Sequence, residues 1–366
     1  MSLKYDPFSR GPFPVGVRTQ EIIDSSRQRK LPVEFWYPAT DEYKGHDLDK
    51  KTQDRYRVFS RVSQEAVRGV PLREGSFPLI MFSHGFGGHK RQTTHFCCHL
   101  ASHGYIIASP DHLGSTIWDT LEPYLKTKKG VPPEEMRVNV KRSSIDRPLD
   151  ITFLIDNIVT GKAWIPQDSI DKDRIGMTGH SFGGWTTLVV TRCDDRIRAA
   201  LPLAPGGGRS LQNQHNLEQV DSEILEPIHN FWNREVPTLF LAAEKDTLLP
   251  LPTILDLYKR TPEPKRMIVL NNADHFHFTD MIEEIHDFFR TQFASMGGDN
   301  PLTRALAESM LPASKLHPSK GAYDYLRGLG LAHMDAYLME KSEAKEFLAN
   351  NLKLLLAERE IDVSIL

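Results

Sequence analysis

Short apolar runs bounded by turn residues alternate with amphipathic stretches over most of this chain. Residues 12–20 and 30–37 read as strands, the second (KLPVEFWY) alternating polar and apolar positions until its aromatic end. Residues 40–75 are charged and weakly periodic, which predicts a surface insertion with one helix near 54–67. Residues 77–83 (FPLIMFS) are a continuous apolar run, the mark of a strand buried on both faces, and they lead into HGFGG at 84–88. A helix is predicted over 90–103, stopping at Gly104, then a strand over 105–109 ending at Pro110 and Asp111. Residues 112–140 are loop-rich, and 147–160 form an amphipathic helix. A short strand over 174–178 runs into GHSFGG at 179–184, and a helix continues over 184–192. Strands at 198–203, 237–243 and 266–271 and a helix at 279–293 continue the series. Such alternation predicts an α/β chain: a mostly parallel central sheet with helices on both faces, and antiparallel strands at the N-terminal end. Residues 205–235 carry little pattern beyond Gly206, Gly207 and Gly208 and the pair Phe231 and Trp232, and are expected to form a small cap or lid. Residues 300–366 add helices, clearest at 322–339 and 343–358, that would pack on the body or mediate dimerisation.

Composition narrows the class without naming a chemistry. The chain has 366 residues, 40% hydrophobic and 25% charged, which excludes a disordered, collagen-like or coiled-coil protein. Lys and Arg total 45 against 48 Asp and Glu, a net charge of −3, which gives no electrostatic argument for a nucleic-acid partner. No apolar stretch reaches the ~18 residues a membrane-spanning helix needs, so no transmembrane segment is expected. The opening MSLKYDPFSR lacks the apolar core and small-residue cleavage site of a signal peptide. Three cysteines, Cys97, Cys98 and Cys193, two of them adjacent, make no disulfide framework. A reducing compartment is therefore expected, with the cytoplasm as the default.

The strongest chemical signal is Gly179-His180-Ser181-Phe182-Gly183. This G-x-S-x-G follows a strand and opens a helix, the context in which the motif places a nucleophile on a sharp turn. Ser181 on such a turn needs neighbours without side chains two residues away. The helix N-terminus beneath it favours developing negative charge. The upstream His84-Gly85-Phe86-Gly87-Gly88 also follows a strand. Acyl transfer needs two N–H donors aimed at the tetrahedral oxyanion, and the amides of Phe182 and Phe86 are expected to supply them.

A nucleophilic serine needs a base, and the base an orienting carboxylate, in the chain order Ser, acid, His. The strand at 237–243 ends in Glu244-Lys245-Asp246-Thr247, where Asp246 is the expected acid and Glu244 its rival. The next strand ends in NNADHFHF at 271–278, where His275 is the expected base and His277 the second choice. Phe86, Phe182 and Trp185 are candidates for an apolar acyl pocket, with Trp185 also readable as core. His180 and His84 are read as loop-shaping residues, and Arg147 and Asp150 as a pair that clamps the start of a helix. His95, His99 and His103 fall at i, i+4 and i+8 around Cys97 and Cys98, as a helical metal site would place them. Nothing downstream completes a ligand set, so no metal and no cofactor are expected.

These stretches resemble the α/β-hydrolases, and within them the branch of the platelet-activating-factor acetylhydrolases and the dienelactone-hydrolase and cutinase-like esterases. The resemblance runs through FPLIMFSHGFGGHK, LASHGYIIASPDH, IDRPLDITFLID, DKDRIGMTGHSFGGW and DHFHFTD, over about residues 14–293. Gly-His-Ser-Phe-Gly-Gly is similar to the acetylhydrolase elbow residue for residue. His275 with Phe278 and Asp280 resembles that family's H-x-x-F-x-D, which favours His275 over His277. One departure is informative. The acetylhydrolases carry their acid just after the strand that follows the elbow, where this chain reads Leu201-Pro202-Leu203-Ala204-Pro205. Asp246 stands one strand later, where dienelactone hydrolases and cutinases keep theirs. The resemblance implies a single α/β-hydrolase catalytic domain over 1–366, with a lid-like insertion at 205–235 and a C-terminal helical extension at 300–366. It implies an acyl-enzyme on Ser181 and a small ester substrate with a short or apolar acyl group. A serine peptidase or amidase on the same scaffold is the alternative, followed by a non-catalytic binding protein of the same fold. Monomer and homodimer stay open.

Overall fold

The computed structural model describes residues 5–58, 61–120, 133–208, 232–296 and 301–366. Its organising feature is a ten-stranded sheet. The strands are β1 (Val15–Asp24), β2 (Arg29–Pro38), β5 (Val67–Arg68), β6 (Phe77–Ser83), β7 (Ile106–Pro110), β8 (Ile170–His180), β9 (Ile197–Leu203), β10 (Thr238–Ala243), β11 (Lys265–Leu270) and β12 (Val363–Ile365). They lie in the order β12-β11-β10-β9-β8-β6-β7-β2-β1-β5. The six from β7 to β11 run parallel, whereas β2 pairs antiparallel with β7 and β1, and β12 with β11; the two-residue β5 at the edge runs parallel to β1. The parallel strands are the continuous apolar runs of the sequence. Every residue of β6, β7 and β10 is buried, as a strand covered on both faces requires.

Two apolar cores sandwich this sheet. One packs Ile151, Leu154, Ile155 and Ile158, the inward stripe of the helix Pro133–Val159, against Leu79, Met81, Ile106 and Met177. The other packs the helices Thr94–Ser102 and Ser319–Tyr337 against the opposite face. The C-terminal region is thus part of the main body. Tyr325 donates from its hydroxyl to the Ile268 carbonyl (2.7 Å), and Gly176 lacks a side chain where Leu338 Cδ1 packs, 2.9 Å from where its Cβ would be. After the helices Ser342–Ala349 and Leu352–Ala357 the chain returns as β12, a strand not anticipated from the sequence. The helix Leu251–Arg260 was not anticipated either.

One expected element is of the wrong type. The described residues of 54–67 form no helix; β3 (Asp54–Arg57) and β4 (Arg61–Gln64) make an antiparallel pair. Asp54 and Tyr56 face inward and Arg55 and Arg57 outward, a period of two that the surrounding charges obscure. Trp36 Nε1 donates to Gln64 Oε1 (2.7 Å), and Arg68 bridges Asp54 (2.6 Å) and Glu34 (2.6 Å), so tertiary contacts fix the hairpin. Of the expected lid at 205–235, residues 209–231 lie outside the described residues. Among those described, no helix is long and apolar enough to cross a membrane.

The chain visits β6, then β7 on one side, then β8 on the other. Neighbouring strands therefore diverge in connectivity at β6 and β8, and the crevice beyond their carboxyl ends is where an open α/β sheet binds ligands. HGFGG follows β6 and GHSFGG closes β8, so both motifs stand at that point.

Candidate active site

The elbow is built by steric exclusion. Ser181 has φ +61° and ψ −117°, a conformation costing a non-glycine residue about 1–3 kcal/mol. Its amide donates to the Leu203 carbonyl (2.9 Å), and its carbonyl accepts from Trp185 (3.0 Å) and Gly206 (3.1 Å), which together hold the turn. Gly183 leaves no room for a side chain: its Cβ would lie 1.8 Å from the Ser83 carbonyl oxygen. Gly179 is constrained similarly, with Ser83 and Gly183 oxygens at 2.5 Å. The helix Phe182–Cys193 starts immediately after the serine.

The loop after β6 lies against this turn. A Cβ on Gly85 would stand 3.3 Å from Ser181 Cβ. Among the described residues, no carbonyl accepts from the amide of Phe86 or of Phe182, so both donors stand uncommitted beside the serine. The Phe86 and Phe182 rings meet edge to face at 6.3 Å, and Phe182 stacks on Trp185 at 5.0 Å. Trp185 has no exposed surface and lies under the Phe182 ring.

The carboxylate and imidazole arrive from β10 and β11. His275 Nδ1 lies 2.8 Å from Asp246 Oδ2, and Asp246 Oδ1 accepts from the amides of Leu248 (3.0 Å) and Leu249 (2.7 Å). An Nδ1–H given to a carboxylate leaves Nε2 as the ring nitrogen able to take up a proton. The rivals are occupied elsewhere. Glu244 accepts from the Asn272 amide (2.8 Å) at the surface, which holds its carboxyl below the usual range. His277 accepts at Nδ1 from the Asp274 amide (3.0 Å) and donates from Nε2 to the His317 carbonyl (3.0 Å). It closes a capping box, and burial pushes its pKa down to about 4.

A hydrogen-bonded strap that the sequence did not disclose joins the three loops. Gly85 N–H donates to Gln92 Oε1 (2.7 Å), Gln92 Nε2 to His180 Nδ1 (2.7 Å), and His180 Nε2 to the His275 carbonyl (2.9 Å). The acceptor at the far end fixes each donor in turn, so His180 must be neutral. Burial, and the neighbouring His275, hold its pKa well below the usual value. The His180 and His275 rings lie 4.5 Å apart. Asp280, half-buried, accepts from the Thr94 and His95 amides (2.8 and 3.1 Å) and so ties the histidine loop to the helix that follows HGFGG. Nothing in residue spacing marks Gln92; only the fold places it.

Arg147 and Asp150 do not pair. Asp150 binds Arg29 (2.8 Å), Arg27 (2.9 Å) and His112 (3.1 Å); against the cost of burial, His112 and Arg29 pull its pKa down to about 2. Arg147 turns instead to the loop after β6. The three histidines of the helical stripe also separate. His95 stacks on Tyr323 (4.2 Å), His99 donates to the Pro7 carbonyl (2.9 Å) and His103 to that of Ser9 (3.0 Å). Among the described residues, no group of three or more His, Cys, Asp or Glu side chains is arranged to hold a metal ion.

Known proteins share this architecture. A ferulic acid esterase structure from Streptomyces cinnamoneus superposes with a TM-score of 0.61 at 24% identity, covering 90% of this chain and 92% of that one. The fold is that of the α/β-hydrolases. Within it, residues 36–147 match the model of platelet-activating factor acetylhydrolase, isoform II, and residues 153–292 that of the PET hydrolase-like family. The platelet-activating factor acetylhydrolase of Canis lupus familiaris is 29% identical over 172 residues, 40% of this chain and 39% of the relative. Cutinase est1 of Thermobifida alba is 23% identical over 209 residues, 56% of each. The chain spans about half the length of the curated relatives it matches, or less. The two family matches meet within the helix Pro133–Val159, between the loop after β6 and the turn that carries Ser181.

Proposed function

We propose that the protein is a serine hydrolase of carboxylic esters that works through an acyl-enzyme on Ser181. The observation that carries this reading is the His275–Asp246 contact of 2.8 Å, with the His275 ring 4.5 Å from that of His180, the chain neighbour of a serine at φ +61°. Ser181 Oγ attacks the ester carbonyl while His275 Nε2 takes its proton. Asp246 holds the imidazole in the required tautomer and stabilises the imidazolium. The Phe86 and Phe182 amides receive the oxyanion. The ester C–O bond then breaks as His275 returns the proton to the leaving alkoxide. Water repeats the sequence in reverse order, releasing the acid and restoring Ser181. No metal or cofactor enters these steps.

The substrate is a small ester with a short or apolar acyl group, held against the Phe86 and Phe182 rings, within one catalytic unit that includes the C-terminal helices. The esterase and acetylhydrolase names of its relatives support this class. An amide substrate is the alternative, and no feature of the site favours it. Three unpaired cysteines, Cys97 and Cys98 buried and Cys193 exposed, support a reducing compartment such as the cytoplasm. Hydrolysis of p-nitrophenyl esters from C2 to C12, with a matched anilide, tests the substrate class. Activity highest on the shortest esters and absent on the anilide is expected. A preference for long chains, or for the anilide, would contradict it.

A further inference from the structure

A fully buried guanidinium lies directly behind the two amides proposed to receive the oxyanion. Arg147 has no exposed surface, and no carboxylate among the described residues is within ion-pair distance of it. It donates from Nη1 to the His84 carbonyl, from Nη2 to the Gly85 carbonyl (3.1 Å), and from Nε and Nη2 to Ser115 Oγ (3.1 and 2.8 Å). Its Cζ stands 4.6 Å over the centre of the Phe182 ring. A single side chain thus grips both halves of the site. The Gly85 carbonyl and the Phe86 N–H belong to one planar peptide unit, so whatever fixes the oxygen fixes the direction of the N–H. That oxygen accepts three hydrogen bonds, from Arg147, from His84 Nδ1 (2.7 Å) and from the Gly88 amide (3.1 Å).

An unpaired charge in the interior is expensive, and a fold normally neutralises it with a carboxylate. The nearest acid, Asp150, spends both oxygens on Arg27, Arg29 and His112. Burial pushes Arg147 down to about 9, so it keeps its charge at neutral pH. Resting on the esterase reading above, we propose that Arg147 is the positioning residue of the oxyanion hole. It aims the Phe86 N–H through the Gly85 carbonyl, seats Phe182 by stacking, and keeps a positive charge behind the developing oxyanion that Asp150 offsets only from beyond ion-pair distance. Acylation and deacylation both place negative charge in that hole, so losing Arg147 slows both steps together. kcat then falls while KM stays, because KM depends on the ratio of the two steps.

The test compares wild type, Arg147→Lys and Arg147→Met. It measures kcat and KM on p-nitrophenyl acetate, the inhibition constant of a trifluoromethyl ketone, and the thermal midpoint. The ketone adds to the nucleophile and leaves an oxyanion in the hole, so it reports oxyanion binding without turnover. Arg147→Met should lose about 10²–10³-fold in kcat, the scale of one oxyanion donor, with KM within about threefold. The ketone should weaken by a similar factor. Arg147→Lys, which keeps charge but not the two-pronged grip, should fall between. Unchanged kcat and ketone affinity in a folded Arg147→Lys or Arg147→Met overturn the proposal, as does a change in thermal midpoint alone. Failure of both variants to fold would assign Arg147 to the scaffold and overturn it too. If the wild type hydrolyses no ester, the esterase reading itself fails.

Discussion

At the scale of single residues, two histidines two positions apart have different partners. His275 and His277 sit on one short 3-10 turn and both are buried, so spacing alone could not separate them. Their partners do. His275 faces a carboxylate that can stabilise its protonated form, whereas His277 spends both nitrogens on backbone groups. His275→Ala should lower kcat by at least about 10⁴-fold with little change in the urea midpoint. His277→Ala should do the reverse. It leaves the Asp274 amide and the His317 carbonyl unpaired, at a cost of about 1–3 kcal/mol in stability, and should keep most of the activity. Equal losses of activity in the two variants would contradict the assignment. The H-x-x-F-x-D resemblance pointed to His275, but the reason became visible only with the hydrogen bonds.

Among the elements, the parts of the fold legible in the sequence were those where local pattern and tertiary demand agree. β6 and β10 are unbroken apolar runs because helices cover both faces. GHSFGG was legible because close backbone approaches at Gly179 and Gly183 leave no room for a side chain, and so sharp a turn leaves that trace in the sequence. Residues 54–67 were not legible. Asp54, Tyr56 and Gln64 face inward, but the charges around them read as a solvated helix. What stabilises that hairpin is Arg68 and Trp36, which are distant or off-pattern partners. β12 is only three residues long and carries too little pattern to register. Gln92 did not stand out at all, and Arg147 only as half of a helix clamp. Their roles come from loops that meet only after β6, β8 and the helix Pro133–Val159 have packed. The pairing expected of Arg147 with Asp150 followed from helical spacing, and stronger partners displaced it.

The whole molecule buries histidine to a degree that shapes its response to acid. His112, His277 and His333 are almost wholly inaccessible, and burial pushes each down to about 4. The unfolded chain protonates these groups near 6.5, so between about pH 6.5 and 4 it binds more protons than the folded protein. Stability is then present in full above pH 6.5 and is lost as pH falls through that window, each group adding about 1.4 kcal/mol per pH unit to the slope. Urea midpoints measured from pH 7.5 to 4.5 should fall steeply below pH 6.5; a flat profile would contradict the buried neutral state. The histidines in question lie in the loops and core around the crevice as well as behind it, so acid is expected to loosen the site with the body. The central claim, however, concerns one oxygen atom, Ser181 Oγ, at the meeting point of β8 and the helix Phe182–Cys193. The most direct measurement is a rapid acid quench of the protein during turnover of p-nitrophenyl acetate, with mass spectrometry of its peptides. The account predicts one acetyl group per chain, carried by Ser181, and none in Ser181→Ala. Acetyl found on another side chain, or ester hydrolysis that persists undiminished in Ser181→Ala, would contradict it.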